Sequence, residues 1–263
     1  MSASFPPCPA PPFWAVDWDA LQAHPWIRDL MDCPQDPHHH AEGNVWIHLR
    51  MVCEALAALP AWRGLPEEER QIVYTAALLH DVAKPACTMI EPDGRITSRG
   101  HSRKGAIVAR RILWRLGLPL HLREQVANLV LYHQVPFYLL ERADCLRRAI
   151  TLSQTTRADH LALLAEADAR GRHCSDGQRI LDNIALFCDY CREQGCFSGP
   201  RPFATDHARF LYFADERRYP DAPAYADLRS EVVLMSGLPG AGKDHWIRTN
   251  LPDWAVVSLD ALR

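Results

Sequence analysis

Residues 77–85 read Ala-Leu-Leu-His-Asp-Val-Ala-Lys-Pro, and the polar pair in their middle decides how the rest of the chain is read. The pair closes a helix that opens near Pro66. Its first turn carries Glu67, Glu68 and Glu69, where carboxylates suit the positive end of the helix dipole. Ile72, Ala76 and Leu79 form one stripe of that helix, and Val73, Ala77 and His80 an adjoining one. His80 therefore stands where the periodicity calls for an apolar side chain, with Asp81 beside it. Pro85 is expected to end the helix, because the residue before a proline resists helical geometry.

The same conflict recurs along the chain. His48 shares a stripe with Val45, Val52 and Leu56 in a helix expected from the Asn44 cap to about Leu59. His133 closes the series Leu122, Val126, Leu129 in a helix from about Leu120. Asp168 follows Leu161 and Leu164 in one running roughly from Arg157 to Ala169. His101 sits in a loop-to-helix turn, ahead of a helix that Ser102 caps and that Gly117 and Pro119 end. Taken singly, each histidine is more readily a hydrogen-bonded core or surface residue. Jointly, so many polar groups on buried stripes need a partner, because unpaired burial is costly. One or two divalent ions would satisfy them all. Mixed imidazole and carboxylate donors suit Mn, Co, Ni, Fe or Zn better than Ca or Mg. His48, His80, Asp81 and Asp168 are expected to hold a first ion, and His101 and His133 a second. Lys84 and Arg172 lie four residues after His80 and Asp168, placed to carry phosphate charge. His38, His39 and His40 are expected to be surface residues near the mouth of the site.

The bulk properties narrow the class. Among 263 residues, 48% are hydrophobic and 23% charged, with a formal net charge of −3, so no global field draws the chain to nucleic acid or anionic membrane. A phosphate-bearing substrate must be held by local cations instead. No run approaches the ~18 apolar residues of a membrane span, and the opening Met-Ser-Ala-Ser-Phe-Pro-Pro lacks a targeting signal. The nine cysteines, without framework spacing, suit reduced thiols in a cytoplasm. Cys188, Cys191 and Cys196 read as packing thiols rather than zinc ligands. Oligomeric state is not readable.

Further along, Glu231 to Ser236 is a short β-type run followed by Gly237-Leu-Pro-Gly240-Ala-Gly242-Lys243-Asp244. The pattern G-x-x-x-x-G-K after a strand and before a helix predicts a loop whose N–H groups cradle nucleotide phosphates, with Lys243 neutralising the outer ones. Asp244 stands where a hydroxyl residue normally reaches Mg²⁺. A second strand-like run, Ala255 to Leu259, leads to Asp260, at the strand edge where such folds place chemistry; an ordinary N-cap is the other reading.

The series His48, His80-Asp81, His101, His133 and Asp168 resembles the HD phosphohydrolase superfamily. The strings HAEGNVWIH (40–48), ALLHDVAKP (77–85), GHSRKGA (100–106), LVLYH (129–133) and EADARGR (166–172) look like the HD domain attached to certain bacterial tRNA nucleotidyltransferases. No Gly-rich strand with paired aspartates precedes them, so nucleotide addition is not expected. VVSLDALR (256–263) resembles the acceptor-side motif of polynucleotide 5′-hydroxyl kinases, which implies Asp260 as general base and Arg263 as an acceptor contact. An HD domain followed by a P-loop is similar to the bifunctional bacterial RNA end-healing enzymes. In them the HD module removes 2′,3′-cyclic, 2′- or 3′-phosphates, and the kinase uses ATP or GTP with Mg.

The implied fold is mostly α: an HD helical bundle followed by an incomplete α/β P-loop fragment. The implied boundaries are a lead-in and capping helix (1–32), the HD domain (33–196), an ordered connector (197–230) and the kinase fragment (231–263). Two strands and one helix cannot finish a parallel sheet, so kinase activity is not expected of this chain unaided. The expected partners are RNA or DNA ends and a nucleoside triphosphate, with no membrane. Two alternatives stand beside this: a phosphohydrolase for free or cyclic nucleotides, and a non-catalytic nucleotide- or RNA-binding module.

Overall fold

In the computed structural model, residues 7–225 and 230–258 are described, and the chain divides into two units, Met1–Pro202 and Phe203–Arg263. Two short helices, α1 (Trp18–Gln22) and α2 (Pro25–Met31), take the place of the single capping helix expected within residues 1–32. Asp17 caps α1 by accepting from the Ala20 N–H at 3.0 Å. Pro25 starts α2 because its missing N–H costs nothing at a first helical position. Asn44 then does two jobs. Its side-chain oxygen accepts from the Ile47 N–H at 2.9 Å, and its amide donates to the Met31 carbonyl at 2.8 Å. That ties the end of α2 to the start of α3 (Val45–Ala58).

After α4 (Pro60–Arg63), α5 (Glu67–Leu79) ends well before Pro85. The chain winds more tightly instead, with Val82 N–H donating to Leu79 O at 3.1 Å and Lys84 N–H to Asp81 O at 2.9 Å. A 3-10 turn follows over Lys84–Ala86. Three-residue winding eclipses side chains three apart, which brings Lys84 over Asp81. The turn over Glu91–Gly94 joins a small antiparallel hairpin, β1 (Met89–Ile90) and β2 (Ile96–Thr97). Next comes α6 (His101–Arg115), entered through Gly100 at φ 78° rather than capped by Ser102. A side chain would strain that left-handed backbone. The remaining helices of this unit are α7 (Leu120–Tyr132), α8 (Val135–Tyr138), α9 (Cys145–Ser153), α10 (Ala158–Arg170) and α11 (Gly177–Glu193).

Helix α10 is the hub: it packs on α3, α5 and α11, while α5 also contacts α3 and α7, and α6 lies along α7. Val52, Leu56, Val73, Leu161 and Leu164 are fully buried between them. Each such aliphatic side chain contributes about 1.5–3 kcal/mol through burial. Ala76, Ala77, Ala165 and Ala167 are buried too, and their small size lets the helix axes approach. At Gly171 the chain runs hard against α3: an added Cβ would lie 2.6 Å from the backbone nitrogen of Val52.

In the second unit, Thr205 caps α12 (Asp206–Ala214) by accepting from Ala208 N–H at 3.0 Å, and Phe203 packs on Tyr212 and Phe213. The strand expected over Glu231–Ser236 is not formed, and neither is the described part of the second run, residues 255–258. A strand draws its backbone hydrogen bonds from a neighbour. Among the described residues neither run has one, and Val232 and Leu234 are exposed. For the described residues of this segment, the α/β expectation is therefore corrected to loop plus one helix, α13 (Lys243–Asn250). Leu259, Asp260 and Arg263 lie outside the described residues. No described helix is long and apolar enough to cross a membrane.

Candidate metal centre

Six polar side chains reach one buried region from five helices. His48 projects from the middle of α3, and His80 is the last residue on the path of α5, with Asp81 in the turn beyond. His101 opens α6, His133 follows α7, and Asp168 sits in the last turn of α10. All six are buried.

The four imidazoles are held in the same way. Nδ1 of His48 lies 2.9 Å from the Gly171 carbonyl, and Nδ1 of His80 2.7 Å from that of Ala77. Nδ1 of His101 and of His133 each lie 2.8 Å from a carbonyl, of Ser98 and Val130 respectively. A carbonyl only accepts, so every Nδ1 carries a proton, and in its neutral, metal-binding form each ring turns an Nε2 lone pair inward. Those lone pairs meet: His48 Nε2 is 3.4 Å from His80 Nε2, and His101 Nε2 is 3.4 Å from His133 Nε2. The carboxylates complete the picture. Asp168 Oδ1 is 3.2 Å from His48 Nε2, and Asp81 Oδ2 is 3.2 Å from His80 Nε2. Asp81 Oδ1 is 3.4 Å from His101 Nε2 on the other side. Two compact donor groups result, His48–His80–Asp168 and Asp81–His101–His133, with ligand atoms in each within 4.8 Å of one another.

This donor set fits one or two divalent ions. Paired lone pairs repel, and Asp81 Oδ1 and Asp168 Oδ2 are buried acceptors without a hydrogen bond. A shared proton on one ring relieves one contact only. A cation between the rings satisfies the nitrogens and the orphaned oxygens together. Asp81, expected with the first ion, has one oxygen 3.2 Å from His80 Nε2 and the other 3.4 Å from His101 Nε2, within reach of both groups.

Two buried cations balance the acids. Lys84 Nζ donates to Asp81 Oδ2 at 2.8 Å and to Gln35 Oε1 at 2.6 Å. The Arg172 guanidinium pairs with Asp168 Oδ1 and lies 5.1 Å over the Phe137 ring. Burial opposes charge on both carboxyls, but the Lys84 ammonium beside Asp81 and the Arg172 guanidinium beside Asp168 hold them well below the usual range. Burial pushes His133 down to about 3 and lowers His101, so both are neutral donors at pH 7. His80 moves the other way. Burial pulls it down, yet the charges of Asp81 and Asp168 outweigh that and raise it.

An open pocket of about 200 Å³ leads to this cluster, lined by Lys84, Arg172, His101, Gln35, Gln134 and Tyr138 among others. His39 and His40 also line it. His40 is not the surface residue expected. Its Nδ1 is 2.7 Å from Glu42 Oε1, and its ring stands edge-on to His48 with centroids 4.7 Å apart. Burial lowers His40 to about 4. Glu42 and Gln35 were missed by sequence reasoning. Glu42 Oε1 lies 3.2 Å from His48 Nδ1 and its Oε2 accepts from the His173 N–H at 2.9 Å. Its place in HAEG, six residues before His48, was the available signal.

Elsewhere, Gly240 and Gly242 adopt positive φ of 76° and 82° immediately before α13. Lys243 Nζ folds back onto the carbonyls of Gly237 and Leu238, at 2.9 and 3.0 Å, and Asp244 lies in the first turn of α13. Cys191 and Cys196 are buried in the core of the first unit, and Cys188 is partly buried against it.

Residues 43–164 match the HD domain. The chain is 29% identical over 160 residues to the multifunctional CCA protein of Acidovorax sp. (strain JS42), covering 56% of this chain and 33% of that protein. It is 37% identical over 142 residues to the CC-adding tRNA nucleotidyltransferase of Thermus thermophilus, covering 54% and 30%. It is 35% identical over 117 residues to the multifunctional CCA protein of Halorhodospira halophila, covering 44% and 26%. The chain thus spans a third or less of the length of these relatives. An HD domain is present, distantly similar to the HD region of tRNA nucleotidyltransferases. The matches give no sign of a kinase fusion.

Proposed function

We propose that this protein is a metal-dependent phosphoesterase that removes 2′,3′-cyclic, 2′- or 3′-phosphate from RNA ends. The observation that carries the proposal is the inward convergence of four Nε2 lone pairs and two orphaned carboxylate oxygens beneath a cation-walled pocket. His48, His80, Asp168, Asp81, His101 and His133 would hold the ion or ions. A divalent ion there supplies Lewis acidity toward a phosphoryl oxygen and acidifies water.

The chain's own groups do the rest. Lys84 and Arg172 sit on the pocket wall, where a phosphate's oxygens would meet an ammonium and a guanidinium. Their present partners, Asp81 and Asp168, keep both in place. The main-chain carbonyls under each Nδ1 fix ring orientation and tautomer. The pocket opens to solvent, which suits a terminal phosphate on a longer chain, and the similarity to tRNA enzymes supports an RNA substrate.

For the second unit, the positive-φ glycines and the Lys243 position support reading residues 237–243 as a nucleotide phosphate loop, with ATP or GTP as its ligand. We do not assign kinase activity to this chain.

The test is phosphate release from an RNA ending in 2′,3′-cyclic phosphate, compared with free 2′,3′-cyclic mononucleotides, across Mn, Co, Ni and Zn. Faster turnover of the RNA is expected. Preference for mononucleotides would select the free-nucleotide reading, and binding without turnover a non-catalytic module.

A further inference from the structure

Helix α6 starts at the metal cluster with His101 and runs outward carrying five cations, Arg103, Lys104, Arg110, Arg111 and Arg115, and no acid. That is unusual for a chain with 29 basic and 32 acidic residues. At helical spacing, residues 103, 104, 107, 110, 111, 114 and 115 fall within an arc of about 140°. The opposite arc holds the buried residues His101, Gly105, Ala106, Ala109 and Leu113.

The outer arc is free in a specific sense. Arg110 is engaged by Glu124 at 2.8 Å. Arg103, Arg111 and Arg115 are exposed and pair with no carboxylate among the described residues, and Lys104 reaches only the Ala86 carbonyl at 3.1 Å. Two large apolar side chains lie among them: Trp114 is 68% exposed and Ile107 57%. From Arg103 to Arg115 the stripe is roughly 18 Å long. Its near end adjoins the pocket, because Ser98 and His101 line that pocket.

Resting on the phosphoesterase reading above, we propose that the exposed face of α6 is the track along which the single-stranded RNA leading to the reacting end is held. Arg103, Lys104, Arg111 and Arg115 meet its phosphates, and Trp114 offers a flat surface for an unpaired base. Charge complementarity favours a polyanion, and alternation of cations with an exposed indole favours unpaired strands, whose bases are available to stack. A peptide partner or a lipid surface would leave the link to the pocket without a purpose.

The test is fluorescence anisotropy with a labelled single-stranded RNA of about 12 nucleotides, within the size range of such sites, titrated with the full chain at several salt concentrations. The variant Arg103→Ala/Arg111→Ala/Arg115→Ala should weaken binding at least tenfold and flatten the log–log salt dependence by roughly 2, at about 0.7 per lost phosphate contact. Trp114→Ala should weaken it further with the salt slope kept. The control Arg28→Ala/Arg148→Ala/Arg192→Ala removes the same charge elsewhere and should bind as the parent does. Equal losses in both triple variants, or affinity for a duplex or an anionic phosphatidylserine vesicle matching that for single strands, would overturn the proposal. Hydrolysis is scored separately. RNA held on α6 but never cleaved refutes the phosphoesterase reading, whereas cleavage of RNA ends with binding indifferent to α6 refutes this one.

Discussion

The carbonyl oxygen of Gly171 accepts a hydrogen bond from Nδ1 of His48 at 2.9 Å, and the same glycine leaves no room for a side chain against α3. One residue thus fixes both the packing of α10 on α3 and the orientation of an imidazole in the candidate metal centre.

Gly171→Ala is therefore expected to injure the site from outside it. The new Cβ would meet Val52 Cγ2 and the Val52 backbone at 2.6–2.7 Å, so α10 must withdraw. Overpacking of this kind costs about 1–3 kcal/mol, and loss of a ligand's supporting hydrogen bond typically costs 10–100-fold in metal affinity. A thermal melt and a Mn²⁺ titration check both; unchanged metal affinity would mean that the Gly171 carbonyl does not orient His48.

Lys84→Gln separates phosphate contact from metal holding. Nζ sits on the pocket wall and donates to Asp81, yet Lys84 is not among the proposed metal ligands. Turnover should fall by about 10²–10³-fold, while the protein still takes up metal. Loss of metal uptake in step with activity would instead make Lys84 a support for Asp81.

Metal should also stabilise the fold. An ion that binds only the native chain adds about 2.7 kcal/mol at a hundredfold excess over its Kd. The melting temperature should thus rise with Mn²⁺ in the parent, and that rise should vanish in Asp81→Asn. A rise of equal size in Asp81→Asn would show that the ion binds elsewhere.

Away from the site, Glu69 at the start of α5 accepts from His160 Nε2 and from Arg157 Nη1, both at 2.9 Å, and so links α5 to the start of α10. Burial alone would raise its carboxyl, but these partners outweigh that and lower it. A depressed folded-state value means that the stabilisation is complete above the unfolded pKa of about 4.3 and is lost as pH falls through the lower folded value. Glu69→Gln should cost about 1 kcal/mol at pH 7, and the gap should close in strongly acid solution. Urea unfolding at several pH values measures it; a pH-independent gap would assign the effect to packing.

Much of this arrangement could be read before the structure. Helices α3, α5, α7 and α10 announce themselves through long apolar periods with caps or breakers, and His48, His80, His133 and Asp168 stand out because they interrupt those periods. The short helices α8 and α9 carry too little period to be seen. The aromatic-rich stretch before Met31 hides the break at Pro25. Residues 231–236 have strand-type composition, but a strand depends on a neighbour that composition does not reveal. Glu42 and Gln35 lie in loops, where no periodicity marks a buried face. The position of Asp81 between the two donor groups follows from the tight winding after Leu79, where a continuing helix was expected.

The most direct test of the central claim is calorimetric titration of EDTA-stripped protein with Mn²⁺, in parallel with a His80→Ala/Asp81→Ala variant of verified fold. One or two ions per chain are predicted for the parent and none for the variant. A parent that binds no ion, or a variant that binds as the parent does, would contradict the assignment of these six side chains to a shared metal centre.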